Sequence, residues 1–542
     1  MKKQIIILIV LILAVKINYG QDWQWVKHIG SNYPLYGERP NSIISDGTNL
    51  YIIGSYGGTL FLPGDTLYCH GNNDIFIAKF DINGNQLWAK TLGGNYTQPD
   101  AFEDASGVFD PINNCIFIGG TFINSINFGN DITLSSPYNN KQEIFVARMD
   151  LNGNFIWAKQ GGSSGIDNRT YTFVEPDGDV LLAGKLENAG NIDTTNIPAG
   201  GFLARFDCNG ILKWAEHKFS GPENYKISIS FIGTDLIMGG LYRQNPSFID
   251  TVTLMPLNSS DGYITRMDSL GRIKWIKDIK GDSSDAVLGI SIDSMSNIYI
   301  TGYFQDSISI NGTIMVNDAR DLLLVKLNAN GNLIWARQAF AENFVMGSSI
   351  KSNSNGDNYI IGQYGGSALF GSYNISTTNA YDMFLTRFNN TGTCLGITHF
   401  GQASGSCLAL NNAGNAICAG VFLNTVKIGD STLTSYGQQD IYIARSDAIT
   451  GIEERKAATN NQLLIYANPT TGKCTVSVPD DFLNAKNLML SIFDSNGKLI
   501  QQKKLEMNEG RIKLDLEAEA KGIYNVTLSD GKRVYGGRIV FQ

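Results

Sequence analysis

The stretch Asp74–Gly94, DIFIAKFDINGNQLWAKTLGG, decides the fold of this chain. It predicts two short strands joined by a tight turn, because apolar residues flank the Asn83-Gly84-Asn85 sequence that is typical of a β-hairpin. Variants of the hairpin return at intervals of about 58 to 69 residues. The six further copies begin at Glu143, Gly201, Asp261, Asp321, Asp382 and Asp440.

A second pattern precedes each copy of the hairpin. It pairs one short strand with a strand that ends in glycine followed by an apolar or aromatic residue. The second strands are NLYIIGSY at 49–56, CIFIGGTF at 115–122, DVLLAGKL at 179–186, DLIMGGLY at 235–242, NIYITGYF at 297–304, NYIIGQY at 358–364 and NAICAGVF at 415–422. Four strands per period predict the blade of a β-propeller, and seven copies predict seven blades.

The two ends of the repeat array indicate how the ring closes. The seventh hairpin stops at Gly451 and lacks its tryptophan strand, whereas an unmatched strand, Trp23–Gly30, precedes the first repeat. Its Trp25-Val26-Lys27 sequence matches Trp88-Ala89-Lys90 of the first hairpin. We therefore expect the N-terminal strand to complete the last blade, which leaves the ring without a free sheet edge.

Two features inside the repeat carry further expectations. The recurring tryptophans are expected to pack between blades rather than contact a ligand, and the sixth copy, with Gly396 in their place, should be the loosest blade. Connections of about 12–20 residues between the second and third strands predict small extra hairpins that ornament one face. The five tryptophans are Trp88, Trp157, Trp214, Trp275 and Trp335.

The repeat resembles the SBBP-type seven-bladed β-propeller repeat of exported proteins of Bacteroidota. The resemblance covers about residues 21–451 and is carried by D-x-F-x-A-K/R-x-D-x-N-G-N-x-x-W-A-K-x-x-G-G with the preceding N-x-Y-I-x-G-x-F pattern. It implies the fold and export, and it implies no single activity.

The first twenty residues predict a signal peptide. Lys2 and Lys3 precede the apolar run Ile5–Val15, and the segment ends at Gly20 before Gln21. The run is too short to span a bilayer, and no later stretch reaches 18 apolar residues. We expect an exported mature protein without a transmembrane helix.

The character of the sequence changes after Gly451. Residues 452–462 form a polar linker, and residues 463–542 alternate in a way that predicts a small β-sandwich. Its motifs resemble the type A C-terminal sorting domain of the type IX secretion system. The motif residues are Asn468, Pro469, Gly472, Gly497, Gly522 and Tyr524. This resemblance implies the type IX machinery as a partner and a secreted or cell-surface location outside the outer membrane of a Gram-negative bacterium.

Charge and cysteine content exclude several classes of function. A net charge of −8 argues against a nucleic-acid partner. The seven cysteines show no metal-binding or disulfide spacing, so most are expected to be small buried apolar residues, with a Cys407–Cys418 pair as the alternative. The histidines at one repeat position, His28, His217 and His399, are expected to lie apart on edge strands rather than to form a metal site.

No catalytic or cofactor motif occurs in the sequence. The D-x-N-G-N turns, such as Asp81–Asn85, faintly resemble a calcium loop, but glycine falls at the fourth position and no glutamate follows at the twelfth. A plain hairpin turn is therefore favoured, although calcium binding by a loop stays open. We expect no cofactor, no metal and no catalytic residues.

Carboxylates and aromatic residues in the blade-to-blade connections form the candidate ligand site. In a propeller these connections share one face, where such residues suit a glycan, protein or cation. The site residues are Tyr33, Tyr36, Tyr96, Asp100, Asp104, Asp167, Arg169, Tyr225, Asp282 and Asp285. The interpretation is an exported binding, adhesion or scaffold module. The alternatives are a hydrolase of extracellular glycans that uses these carboxylates, and an architectural envelope component without a soluble ligand.

Overall fold

All regular elements described by the computed structural model are β-strands, as the sequence predicts. The structure describes residues 23–33, 37–94, 104–220, 227–243, 247–256, 260–310, 312–446, 463–466, 468, 470–479, 482, 488–493, 499–505, 510–530 and 534–542. The predicted signal peptide and the predicted linker lie outside these residues. Within them, no helix has the length and apolar character needed to cross a membrane.

Nineteen strands lie in the described residues of the first half of the repeat region. They are β1 (Trp23–Ser31), β2 (Arg39–Ser45), β3 (Asn49–Tyr56), β4 (Thr59–Leu62), β5 (Asp65–Tyr68), β6 (Asp74–Asp81), β7 (Gln86–Leu92), β8 (Ala105–Asp110), β9 (Cys115–Ile123), β10 (Ser125–Gly129), β11 (Ile132–Ser135), β12 (Gln142–Asp150), β13 (Phe155–Ser163), β14 (Asn168–Val174), β15 (Val180–Leu186), β16 (Gly190–Ile192), β17 (Thr195–Ile197), β18 (Gly200–Phe206) and β19 (Leu212–Ser220).

The second half of the repeat region continues the same pattern. Its strands are β20 (Ile227–Ile232), β21 (Asp235–Arg243), β22 (Ser247–Ile249), β23 (Val252–Leu254), β24 (Ser260–Met267), β25 (Ile273–Gly281), β26 (Ala286–Ile292), β27 (Ile298–Ile310), β28 (Thr313–Leu327), β29 (Leu333–Ala341), β30 (Phe344–Ser352), β31 (Asn358–Gly365), β32 (Ser367–Phe370), β33 (Tyr373–Ser376), β34 (Asp382–Phe388), β35 (Cys394–Gly401), β36 (Ala403–Leu410), β37 (Ala416–Ile428) and β38 (Ser431–Ser446).

The repeats form four-stranded antiparallel units, in which the first strand pairs with the second, the second with the third, and the third with the fourth. In unit 1, for example, Ile52 of the second strand lies opposite Ala78 of the third, and Ala78 lies opposite Ala89 of the fourth. Units 1 to 7 are β2-β3-β6-β7, β8-β9-β12-β13, β14-β15-β18-β19, β20-β21-β24-β25, β26-β27-β28-β29, β30-β31-β34-β35 and β36-β37-β38-β1.

The fourth strand of unit 7 comes from the other end of the chain. β1 pairs antiparallel with β38, with Trp25 opposite Arg445 and His28 opposite Tyr442. Trp25 of this strand also donates its indole N–H to the carbonyl oxygen of Ile82 in unit 1 at 3.0 Å, and Arg445 donates to the same oxygen at 2.9 Å. Unit 7 therefore contacts unit 1 in the described structure.

The core lies between the sheets. Each main cluster of buried apolar side chains in the repeat region draws on two adjacent units, because both faces of every sheet are covered by a neighbour. One cluster combines Ile52 and Phe76 of unit 1 with Ile417 and Ile441 of unit 7. Full burial of such a side chain stabilises the fold by about 2 kcal/mol.

The repeated tryptophan and the repeated turn glycine contact each other across neighbouring units. The turn glycines have positive φ, which glycine adopts without steric cost, and an added Cβ atom would meet the tryptophan ring of the preceding unit. The contacting pairs are Trp25 with Gly84, Trp88 with Gly153, Trp157 with Gly210, Trp214 with Gly271, Trp275 with Gly331, and Trp335 with Gly392. The predicted packing of the tryptophans between repeats is confirmed.

In the D-x-N-G-N turns, the aspartate side chain accepts hydrogen bonds from the backbone of the same turn. Asp150 accepts hydrogen bonds from the backbone N–H groups of Asn152 and Asn154 at 2.9 and 2.8 Å. Although partial burial acts in the opposite direction, the hydrogen bonds from Asn154 and Asn152 lower the pKa of the Asp150 carboxyl. The oxygens of this carboxylate therefore close the turn, as a plain hairpin requires.

Five of the described hairpins between second and third strands extend the sheet of the preceding unit, whereas β10 and β11 of unit 2 form a two-stranded sheet of their own. β16 of unit 3 pairs with β13, the fourth strand of unit 2, with Gly161 opposite Ile192. The sequence predicts the hairpins but not this pairing. The same arrangement places β4 on β1, β22 on β19, β27 on β25 and β32 on β29.

All seven cysteines are free thiols, and five of them are buried. The expectation that most are small buried apolar residues is confirmed, and the alternative Cys407–Cys418 disulfide is wrong. Cys407 instead contacts the carbonyl oxygen of Pro40 at 3.3 Å, and Cys418 contacts that of Ala444 at 3.5 Å.

The C-terminal region folds into two sheets around one hydrophobic cluster. The sheets are β39-β40-β43 and β42-β41-β44-β45, and both contribute to the buried set, for example through Val476 and Ile492. The strands are β39 (Ile465–Tyr466), β40 (Lys473–Ser477), β41 (Leu488–Phe493), β42 (Leu499–Leu505), β43 (Arg511–Asp515), β44 (Gly522–Ser529) and β45 (Val534–Phe541). This is the sandwich that the alternating pattern predicts.

Candidate functional site

The candidate ligand site lies in the connections that leave the fourth strand of one unit and enter the first strand of the next. The structure describes part of it. Tyr36, Tyr96, Asp100 and Tyr225 lie outside the described residues. Arg169 lies in β14, and its side chain is also outside the description.

Asp167 is fully buried and shapes its own connection. Its carboxylate accepts the backbone N–H and the hydroxyl of Ser163 at 2.5 and 2.7 Å, and the backbone N–H of Glu187 at 2.9 Å. Burial raises the pKa of Asp167, although the hydrogen bonds from Ser163 and Glu187 act against this shift. The side chain joins the end of β13 to the end of β15 rather than facing solvent.

Asp285 occupies the equivalent place before unit 5 and is also fully buried. It accepts the backbone N–H of Gln305 at 3.2 Å. Burial, reinforced by the nearby charge of Asp261, raises the pKa of Asp285 to about 8. Asp282, three residues earlier, is exposed and accepts the hydroxyl of Ser307 at 2.7 Å. The two acids therefore differ in accessibility although they share one connection.

Tyr33 and Asp104 lie in two further connections. The ring of Tyr33 packs on Gly57, where an added Cβ atom would come within 2.5 Å of it. Asp104 is exposed, accepts a hydrogen bond from the side-chain amide of Asn41, and uses its own carbonyl oxygen to accept the N–H of Thr121 at 2.7 Å. Asp104 and Asp282 are the described carboxylates of the predicted set that solvent can reach.

Glu38 is a buried acid of these connections that the sequence analysis missed. It lies between β1 and β2, is 1% exposed, and accepts the hydroxyl of Ser31. Burial raises its pKa to about 7. Its position matches that of Asp167, and Ser31 matches Ser163. The sequence signal for Glu38 is a serine at the end of the fourth strand followed by an acid just before the next strand. A comparison of the connections for this pattern could have found it.

A second set of buried acids, here called the strand-opening acids, occupies the repeat position at which the hairpin copy begins in most units. Glu143 lies across from Gly162, where an added Cβ atom would come within 2.1 Å of the carboxylate, and Asp440 has the same relation to Gly30. Such a contact with an acid explains the glycine at positions 30, 93 and 162. The acids are Asp74, Glu143, Asp261, Asp321, Asp382 and Asp440, each at most 5% exposed.

The histidines at the shared repeat position lie in separate units, as expected. His28 contacts the carboxylate of Asp440 at 2.6 Å, and His399 contacts the hydroxyl of Tyr364 at 2.8 Å. His217 fills the space beside Gly200 in unit 3, where glycine replaces the strand-opening acid. Among the described residues no group of three or more His, Cys, Asp or Glu side chains is arranged to hold a metal ion.

The buried acids of the face, Asp167 and Asp285, do not form the carboxylate pair of a glycoside hydrolase. Glycoside hydrolysis needs two carboxylates that reach the same substrate from opposite sides. Asp167 and Asp285 are buried, lie in different connections, and accept hydrogen bonds from backbone groups. These two acids therefore hold the shape of their own connections.

Two of the predicted motif residues of the C-terminal domain, Asn468 and Tyr524, make hydrogen bonds inside the domain, and Asn468 holds the final strand in place. The side chain of Asn468 donates to the carbonyl oxygen of Arg538 at 2.5 Å and accepts the N–H of Val540 at 2.8 Å. Tyr524 is 5% exposed, and its hydroxyl donates to the carbonyl oxygen of Ala520. The motif residues that are described are thus structural within the sandwich.

Gly472 allows a close approach in the same domain. An added Cβ atom there would come within 2.6 Å of Glu517, and its φ of +133° is strained for other residues. Gly522 begins β44. Pro469 and Gly497 lie outside the described residues.

The C-terminal sequence matches a known family. Residues 464–542 match the family described as the secretion system C-terminal sorting domain. This domain indicates a protein that is secreted or displayed on the cell surface of Bacteroidota-type Gram-negative bacteria, and it implies handling by the type IX secretion machinery. The expected location is confirmed.

Known proteins similar to the remainder of the chain are distant. An uncharacterised WD repeat-containing protein of Acanthamoeba polyphaga mimivirus is 23% identical over 166 residues, which are 26% of this chain and 12% of that protein. The chain therefore matches only a small part of this relative's length.

Propellers occur among the similar solved structures. The Dos1 propeller is 9% identical, with a TM-score of 0.39, and the match covers 78% of this chain and 96% of that chain. The extracellular domain of a one-component system from B. thetaiotaomicron is 11% identical, with a TM-score of 0.22, over 93% of this chain and 86% of that chain.

Proposed function

We propose that this protein is an exported seven-bladed β-propeller of the SBBP type that acts at the cell surface as a binding, adhesion or scaffold module. Its C-terminal domain directs the protein to the type IX secretion machinery. Its propeller then acts as the binding, adhesion or scaffold module outside the cell. The ligand class that fits the exposed acids and aromatic residues of the connections is a glycan or a protein.

In this proposal the seven units are blades of a closed ring. The pairing of β1 with β38 supports it, as do the two hydrogen bonds that Trp25 and Arg445 donate to Ile82. The buried cluster shared by units 7 and 1 is of the same kind as those between other neighbours. A closed ring is rigid, and rigidity lowers the entropy that a binding surface loses when it takes its ligand.

The proposal of binding rather than catalysis rests on the hydrogen bonds that the buried acids of the connections accept. The carboxylate of Asp167 accepts three hydrogen bonds that fix the shape of its connection, and the carboxylate of Glu38 accepts one from Ser31. Acids fixed in this way support a surface of constant shape. The exposed acids Asp104 and Asp282 lie on that surface and are the side chains best placed to meet a polar or cationic group.

The test is a glycan array and an adhesion assay run beside a panel of glycoside hydrolase substrates, all on the full chain. We expect binding without turnover. The variant Asp282→Asn should weaken binding at least about threefold because it removes an exposed charge, whereas Asp515→Asn, an exposed acid of the C-terminal domain, should leave binding unchanged.

Turnover of a glycan that is lost in Asp104→Asn or Asp282→Asn would overturn the binding interpretation in favour of a hydrolase. Absence of both binding and turnover on the array, with normal display at the cell surface, would instead favour the purely architectural role.

A further inference from the structure

Arg511 of the C-terminal domain reaches into the propeller at unit 5. Its guanidinium lies 4.1 Å from the ring centre of Phe340 and 5.5 Å from that of Tyr466 in its own domain. It also lies 3.9 Å from the carboxylate of Asp321 and donates to the carbonyl oxygen of Ala341 at 3.5 Å. Only 11% of this side chain is exposed.

The partner of Arg511 is one of the strand-opening acids. The strand-opening acids are contacted by side chains from within the repeat region: Ser136 contacts Glu143 at 3.1 Å, and Asn379 contacts Asp382 at 2.8 Å. Asp321 is fully buried and accepts the N–H of Ala341 at 3.0 Å and the side-chain amide of Gln338 at 3.4 Å. In unit 5 a cation from outside the repeat region approaches the buried acid.

The contact around Arg511 is local. Beside it lie a cavity of about 390 Å³, lined by Phe340, Glu342 and Ser367 of the propeller and by Leu464 and Tyr466 of the C-terminal domain, and a second of about 510 Å³. Both cavities are lined by residues of the propeller and of the C-terminal domain. The neighbouring residue Gly510 leaves room for the ring of Phe340, which an added Cβ atom would approach to 2.8 Å.

We propose that Arg511 is a clamp that docks the C-terminal sorting domain onto the outer edge of unit 5. The occupant of this propeller surface is the sorting domain of the same chain, held by one planar cation between two aromatic rings and a buried carboxylate. The docked domain turns its β39-β40-β43 sheet toward unit 5, since Cys474, Thr475 and Lys513 line the second cavity. The contacts of Arg511 therefore determine whether the β39-β40-β43 sheet is covered by unit 5 or exposed to solvent.

Hydrogen exchange measured by mass spectrometry on the full chain tests the proposal. In Arg511→Ala, residues 340–342 and 473–477 should exchange about tenfold faster than in the natural chain, because the contact that closes this edge is lost. Arg511→Lys keeps the charge but not the planar fork, so it should give an intermediate increase. Lys504→Ala removes a cation from the other sheet of the same domain and should change neither segment.

Exchange in the sandwich strand β44 separates undocking from unfolding. If β44 is as protected in Arg511→Ala as in the natural chain while residues 340–342 are not, the domain has undocked as a folded body. Unchanged protection of both 340–342 and 473–477 in Arg511→Ala would overturn the clamp. If β44 loses protection as well, then Asp321→Asn, which alters only the propeller side, must speed exchange at 473–477; if it does not, the clamp is equally overturned.

Discussion

The indole ring of Trp157 lies on the backbone of Gly210 in the next unit, and its N–H donates to the carbonyl oxygen of Cys208 at 3.0 Å. One side chain thus packs on a turn and satisfies a polar group of the same turn. Arg148 donates to this carbonyl oxygen as well, at 2.9 Å. The tryptophan, the cation and the turn glycine of the repeat are therefore parts of one contact between units.

Replacing the turn glycine should destabilise the fold through this contact. In Gly210→Ala the new Cβ atom would lie 2.8 Å from the ring of Trp157, and the φ of +80° would also be strained. We expect a loss of about 2–4 kcal/mol in the free energy of unfolding, measured by urea denaturation. Gly414→Ala is the matched control, because its φ is +77° but no atom lies within 4 Å of an added Cβ. Equal losses in the two variants would contradict the packing argument.

The strand that completes unit 7 should matter as much as an internal one. Trp25→Ala removes the ring packed on Gly84 and the hydrogen bond to Ile82. We expect a loss of about 2–4 kcal/mol in unfolding free energy, similar to that of Trp157→Ala, because the two rings make the same contacts. Calorimetry of both variants measures it. A Trp25→Ala protein as stable as the natural chain would argue against closure through this strand.

Unit 6 should open more readily than the others. Gly396 stands where other units have tryptophan, so β35 lacks the ring that elsewhere covers the turn of the next unit. Native-state hydrogen exchange should find lower protection in β34 and β35 than in β12 and β13 of unit 2. Equal protection in the two pairs of strands would show that the missing ring is compensated by other packing.

Stability should fall as the pH rises through neutrality. The pKa of Asp285 in the folded protein is about 8, above its usual value, so this group stabilises the fold most below pH 4 and loses that contribution as the pH rises through about 8. Asp285→Asn keeps an acceptor for the N–H of Gln305 and carries no charge. It should therefore reduce the loss of unfolding free energy between pH 5 and pH 9 by about 2–5 kcal/mol.

Urea midpoints at the two pH values provide this measurement. Asp282→Asn, in the same connection but exposed, should leave the pH dependence as it is in the natural chain. Some loss should remain in Asp285→Asn, since burial also raises the pKa of Glu38 and of Glu143 to about 7. An unchanged pH profile in Asp285→Asn would mean that its carboxyl is not the group that titrates.

The architecture could be predicted from the sequence because it depends on local signals that repeat. The Asn83-Gly84 turn and the alternating strands around it specify a hairpin within twenty residues, and repetition then specifies the array. The expectation that the unmatched Trp25 strand completes the last repeat rests on the sequence pattern that it shares with the other tryptophan strands. The domain boundaries at residues 20, 451 and 462 stay predictions.

The candidate site was less accessible to sequence reasoning because it depends on burial. Asp167 and Asp282 look alike in the sequence as acids in connections, yet the first is fully buried and the second is exposed. What separates them is the neighbouring strand end, where Ser163 and Glu187 offer donors to Asp167. Likewise, nothing in the local sequence of β16 indicates that it pairs with β13 of another unit. Such contacts join segments that a repeat pattern describes only one at a time.

The pairing of β1 with β38 has a consequence for the order of events during synthesis. Trp25 leaves the ribosome early, but Arg445, its partner in the ladder, follows more than 400 residues later. Until then unit 7 has no fourth strand, and the entropy of closing so long a loop must be overcome before the last sheet forms. Completion of the fold thus waits for the end of the repeat region, immediately before the residues that carry the export signal are made.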